Sequence, residues 1–131
     1  MQNEIKSAES MPKIHAQAYK IIGACRMAGI KAEVAGGVFK GKRNPHDIDI
    51  VIEAENYTPV LRELLIHCSG VIKDTQDAKT IPETVEFYIA TPEHFPRLLE
   101  ALRSSTWDCI RHRKMSGVRY SKLVLEAHHT Y

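Results

Sequence analysis

A chain of 131 residues with 44% hydrophobic residues and a net charge of +2 can enclose one hydrophobic core, so one domain with at most a small appendage is expected. No run approaches the ~18 apolar residues of a membrane span, and the N-terminal MQNEIKSAES has neither an apolar signal segment nor a cleavage site, so a cytoplasmic chain is expected, with nuclear or viral origin left open. The cysteines Cys25, Cys68 and Cys109 are widely spaced and form no CxxC pair, which speaks against a disulfide framework or zinc site and for small core residues in a reducing compartment.

Ser10 and Pro12 open a first helix with Ile14, Ala18, Ile21, Ile22 and Cys25 on one stripe and Gly29 as its stop. A strand over Ala32 to Ala35 leads into AGGVFKGKRNPHDIDIVI, the most informative stretch, which runs from Ala35 to Ile52. Gly36 and Gly37 permit a sharp turn that brings backbone N–H groups close to an anion, followed by a short helical piece. Lys40, Lys42 and Arg43 carry positive charge toward the same opening. On the strand DIDIVIE, side chains alternate, so Asp47 and Asp49 face one way and Ile48, Ile50 and Ile52 the other. Hard divalent cations take oxygen ligands and bind through one or two carboxylates together with substrate phosphates. Taken singly, these features also read as an ordinary turn, a solvated loop and a strand with one wet face. Their coincidence marks a candidate site for a metal ion and a polyphosphate.

A second helix starts at Thr58 and Pro59, buries Val60, Leu61, Leu64, Leu65 and Cys68, and stops at Gly70. Three short β-candidates follow: Val71 to Asp74, Lys79 to Ile81, and Thr84 to Ala90. Thr91 and Pro92 open a third helix through Leu98, Leu99 and Leu102, and Ser105 or Thr106 caps a fourth through Trp107 and Ile110 that ends near Gly117. The tail from Val118 to Tyr131 reads as a strand-like segment and an irregular end. From Phe95 onward there are seven Lys or Arg against three Asp or Glu. Arg111, Arg113, Lys114, Arg119 and Lys122 make this quarter a candidate surface for a nucleic-acid backbone, with a solvated helix face as the plain alternative. His67 beside Cys68 and the pair His128 and His129 lack the four-ligand spacing of a zinc site.

The stretch from Gly36 to Asp49 resembles the signature of the polymerase-beta-type nucleotidyltransferases, closest to the family X DNA polymerases: a Gly-Ser turn, a short basic helix-turn, then DxD on a strand, with no gap between Gly36 and Asp47. TVEFYIATPEHF, from Thr84 to Phe95, resembles the family's third carboxylate strand with its apolar run, proline and aromatic, and places Glu86 in the carboxylate position. LLEALRSSTWDCIRHRKMSGVRYSKLVL, from Leu98 to Leu125, resembles the family's thumb region, so the likeness covers most of Ile14 to Leu125.

The resemblance implies an α+β fold: a nucleotidyltransferase palm over residues 1–94, with a mixed β-sheet backed by helices, and a small C-terminal helical thumb-like subdomain over 95–131 that selects the nucleotide. It implies a monomer that transfers a nucleotide from a nucleoside triphosphate to the 3′-hydroxyl of a DNA primer–template or gapped DNA, using two Mg2+ or Mn2+ ions held by Asp47, Asp49 and Glu86. Gly36 and Gly37 would offer N–H groups to the phosphates. Lys40 stands where the family has a phosphate-binding arginine, with Arg43 as the other candidate. Cys109 falls at a base-contacting asparagine, and Arg113 at an arginine that approaches the template. The chain departs from the pattern at Gly37, a serine in the family; at Glu86, an aspartate; and at Ala101, Leu102, Arg103, Ser104 and Ser105, which replace a sugar-monitoring stretch. The family's N-terminal DNA-binding and lyase domain has no counterpart in this length. A transferase acting on a small molecule, RNA or protein, and an inert nucleotide-binding module, are the alternatives.

Overall fold

The alternating run DIDIVIE forms an inner strand with both faces covered at one end. The computed structural model describes residues 13–43, 45–70, 84–104 and 115–126. These form α1 (Lys13–Met27), β1 (Lys31–Ala35), the short α2 (Gly36–Phe39), β2 (Asp47–Glu53), α3 (Pro59–Ser69), β3 (Thr84–Ala90), α4 (Phe95–Arg103) and β4 (Ser121–Glu126). The strands make one sheet in the order β1-β2-β3-β4. β1 is antiparallel to β2, β2 is parallel to β3, and β3 is antiparallel to β4. The described residues thus form an α+β fold with a mixed sheet backed by helices, as the sequence led us to expect. A parallel pair needs a crossover connection, and α3 lies in the one between β2 and β3.

Strand alternation sorts the apolar residues into two cores. On one face Val34, Ile48, Ile50, Ile52, Val85 and Phe87 pack with Ile21, Ile22 and Cys25 of α1 and with Leu61, Leu65 and Cys68 of α3. On the other, Ala35, Val51 and Ala90 pack beneath Phe95, Leu98 and Leu102 of α4. Each large side chain buried in this way contributes roughly 1.5–3 kcal/mol, so the first face holds most of the stability. The second is free to carry polar groups where α4 does not reach.

α3 ends where its boundary signals put it: Thr58 Oγ1 accepts the Leu61 N–H at 3.1 Å, and Gly70 follows its last turn. Val60 and Leu64, expected inside, are instead 71% and 38% exposed. The buried stripe is Leu61, Leu65 and Cys68, and a neighbouring residue lies about 100° around the helix from it. α4 begins at Phe95 rather than at Thr91 and Pro92, because the chain first makes a turn that closes with the Phe95 N–H on Thr91 O at 2.8 Å. The tail contributes β4, whose Tyr88↔Lys122 and Glu86↔Val124 registers return the chain to the sheet. The first turn expected at Ser10 and Pro12, the β-candidates Val71 to Asp74 and Lys79 to Ile81, and the helix through Trp107 and Ile110 lie outside the described residues. Among the described residues no helix is long and apolar enough to cross a membrane.

Candidate active site

Gly36 stands at the junction of β1 and α2 with φ +61°, a left-handed conformation that favours glycine. A Cβ added there would overlap the carboxylate of Asp49, with Cγ at 2.9 Å. The backbone therefore lies directly against the acid, as close approach of a glycine turn to a charged site requires. Gly37 is confined by the loop that folds back over it: an added Cβ would sit 3.1 Å from Pro45 Cβ and 3.2 Å from Lys42 Cδ. That loop is held by the Lys42 N–H on Gly37 O at 2.9 Å and by His15 Nε2, which donates to Lys42 O at 2.6 Å. A larger residue at Gly37 would have to displace both neighbours. Lys40 caps α2 with its N–H on Gly36 O at 3.0 Å, and Arg43 is exposed further along the loop.

The parallel pairing of β2 and β3 sets Asp49 beside Glu86 and Asp47 beside Thr84, on strands about 4.8 Å apart. Asp47, Asp49 and Glu86 are all half-buried on the face that α4 covers only at its other end. Thr84 Oγ1 donates to Asp47 Oδ1 at 2.6 Å and lies 3.4 Å from Glu86 Oε2. With one hydroxyl hydrogen, Thr84 is committed to the shorter contact and fixes the Asp47 carboxylate. From β4, Lys122 reaches diagonally across the sheet: its Nζ is 2.8 Å from Glu86 Oε1 and 5.1 Å from the centroid of the Tyr88 ring. The hydrogen bond to Glu86, opposed by partial burial, holds the Lys122 ammonium above the usual lysine range.

Burial, and then the negative charges of Asp49 and Glu86, push the Tyr88 phenol up to about 12 from an ordinary 10.0. A proton held more tightly in the folded chain than in the unfolded one contributes stability that is complete below the unfolded value and lost as pH climbs through the folded one. We therefore expect the urea midpoint to fall between pH values of about 10 and about 12, and Tyr88→Phe to fall less steeply. Equal declines in the two proteins would remove Tyr88 from that account.

The donor set suits a hard divalent ion, and the fit is best at the pair Asp47 and Asp49, where Thr84 orients one acid and the Gly36 backbone abuts the other. Glu86 shares the face, but its Oε1 is taken by Lys122. As they stand, no three His, Cys, Asp or Glu among the described residues converge closely enough to enclose an ion. Lys122, expected on a nucleic-acid surface, is thus part of the acidic site. Arg119 is not: it lines a cavity of about 260 Å³ with Ala54, Tyr57, Thr91 and Tyr120 at the opposite end of the sheet. Cys109, Arg111, Arg113 and Lys114 lie outside the described residues.

Comparison with known proteins finds no matching family model, curated protein or solved structure. The chemistry is carried by the residues themselves. Three of them escaped the sequence reading. Thr84 and Tyr88 flank Glu86 at spacing two, so strand alternation alone could have placed them beside it. Arg103 has no such signal: it hydrogen-bonds Val34 O at 2.9 Å, pairs with Glu33 at 3.3 Å and stacks on Phe39 at 4.1 Å, tying α4 to β1 and to the helix that follows Gly36.

Proposed function

We propose that this chain is a metal-dependent nucleotidyltransferase, similar to a minimal family X DNA polymerase, that adds a nucleotide from a nucleoside triphosphate to a DNA 3′-hydroxyl and releases pyrophosphate. The observation that carries the reading is the junction of Gly36 with Asp49: a glycine turn packed on one of two carboxylates that share a strand face, with Glu86 on the neighbouring strand. On this reading the sheet with α1 and α3 is a palm, and the residues from Phe95 onward supply a thumb-like element together with β4.

Mg2+ or Mn2+ held by Asp47 and Asp49 would supply Lewis-acid stabilisation of charge on the phosphoryl oxygens. The remaining work falls to the chain. Backbone N–H groups at Gly36 and Gly37 receive phosphate oxygens, and Lys40 and Arg43 neutralise the triphosphate from the adjoining loop. Thr84 keeps Asp47 in one orientation. Glu86 Oε2, the oxygen not paired with Lys122, is the one able to accept the proton of the attacking hydroxyl. The basic residues Arg111, Arg113 and Lys114 contribute positive charge for the DNA backbone.

The deciding experiment incubates the protein with labelled deoxynucleoside and nucleoside triphosphates, Mg2+ or Mn2+, and gapped DNA. Incorporation supports the proposal. The same binding measured at two salt concentrations identifies the acceptor, because released counterions make backbone binding fall steeply with salt. Transfer with negligible, salt-insensitive DNA affinity would redirect the activity to a small molecule, RNA or protein. The pairing of Glu86 with Lys122 favours one further reading, an inert module of the same fold. Triphosphate binding without incorporation, with either metal, would establish it.

A further inference from the structure

Resting on the nucleotidyltransferase reading, we infer that Lys122 is the permanent cation at Glu86, so that the site takes a single divalent ion, at Asp47 and Asp49, in place of two. Nζ of Lys122 lies 2.8 Å from Glu86 Oε1, with the Glu86 side chain 16% exposed and that of Lys122 43% exposed, so the pair is sheltered on the glutamate side and meets solvent on the lysine side. The position of the ammonium is set by the fold. Lys122 is opposite Tyr88, and Glu86 is opposite Val124, so lysine and glutamate are diagonal neighbours on an antiparallel pair, roughly 7–8 Å apart along the backbone. A lysine stem spans that gap, and the Tyr88 ring under Nζ restricts where else it can go.

Charge gives the same answer. Of the three carboxylates Asp47, Asp49 and Glu86, it is Glu86 whose charge the Lys122 ammonium already offsets, which leaves that acid the weakest attractor for a divalent ion. A second divalent ion at Glu86 would have to expel the ammonium or lie against it. In the other half of the site Thr84 holds Asp47 Oδ1 at 2.6 Å, and Gly36 abuts Asp49. The departure from aspartate to Glu86 fits this division, since the longer side chain brings its carboxylate within reach of the neighbouring strand's lysine.

The test is electron paramagnetic resonance of the full chain with Mn2+ and a non-hydrolysable deoxynucleoside triphosphate. Two ions sharing one site lie about 3.5–4 Å apart and couple magnetically; a single ion does not. The wild type and Lys122→Arg should give one uncoupled protein-bound Mn2+. Lys122→Gln, checked for an unchanged unfolding midpoint, should give a coupled pair. A coupled pair in the wild type overturns the inference, as does a single ion in all three proteins. Absence of protein-bound Mn2+ from every protein would overturn the nucleotidyltransferase reading itself, so the two failures are distinguishable even if the glutamine variant does not fold.

Discussion

If the chain transfers nucleotides as proposed, Asp49→Asn is expected to lower that transfer by about a thousandfold and to leave the folded chain nearly as stable as the wild type. Asparagine has the same shape, so the fit against Gly36 is preserved while the charge and one acceptor are lost. A metal ion at a phosphoryl centre supplies several kcal/mol of charge stabilisation, and losing about 4 kcal/mol corresponds to about three orders of magnitude in rate. Stability should hardly change, because Asp49 is half-buried beside two other acids and its neutralisation also removes like-charge repulsion. The same variant offers a second readout. Asp49 is one of the charges that raise the Tyr88 phenol, so Tyr88 should ionise at a lower pH in Asp49→Asn, whatever happens to the chemistry. Single-turnover incorporation and ultraviolet titration of the tyrosines measure the two effects. A rate loss below about tenfold, with the Tyr88 shift present, would mean that Asp49 is where the structure puts it but does not take part in catalysis.

The strands of the site were legible because their signal is local. DIDIVIE and TVEFYIA alternate through their first four residues and are bounded by turn residues, and both occupy the residues expected of them. What alternation could not supply was which strands pair. The placement of Asp49 beside Glu86 depends on a parallel register across a long connection, and that of Lys122 on a strand near the C-terminus. In one dimension Lys122 belongs to a basic run and reads as a phosphate ligand for DNA; in three, its nearest charge is Glu86. Helix boundaries show the same contrast. Thr58, Pro59 and Gly70 act within a turn of themselves and marked α3, whereas the face α3 buries depends on α1, and so Val60 and Leu64 were misplaced. Val51 is a related case: it shares the face of Asp47 and Asp49, and nothing in its own strand announces that α4 covers it.

Gly36→Ala is expected to destabilise the chain by about 3 kcal/mol, the upper end of the usual cost of a strained backbone position, and to abolish transfer. Two causes act together. A side chain at φ +61° costs about 1–2 kcal/mol in the left-handed region, and the new Cβ also meets the Asp49 carboxylate, with Cγ at 2.9 Å and Cβ at 3.1 Å. Gly29→Ala separates them: Gly29 has φ +80° with nothing near an added Cβ, so it should show the backbone cost alone. The excess at Gly36 is the contact with Asp49. Combining Gly36→Ala with Asp49→Ala should recover much of that excess, a coupling of about 1–2 kcal/mol between residues in contact, while activity stays lost. Denaturant unfolding of the two singles and the double at one pH closes the cycle. If the double is destabilised by the full sum of its parts, the glycine turn does not rest on Asp49, and the arrangement proposed to bring triphosphate and metal together is not the one this sheet builds.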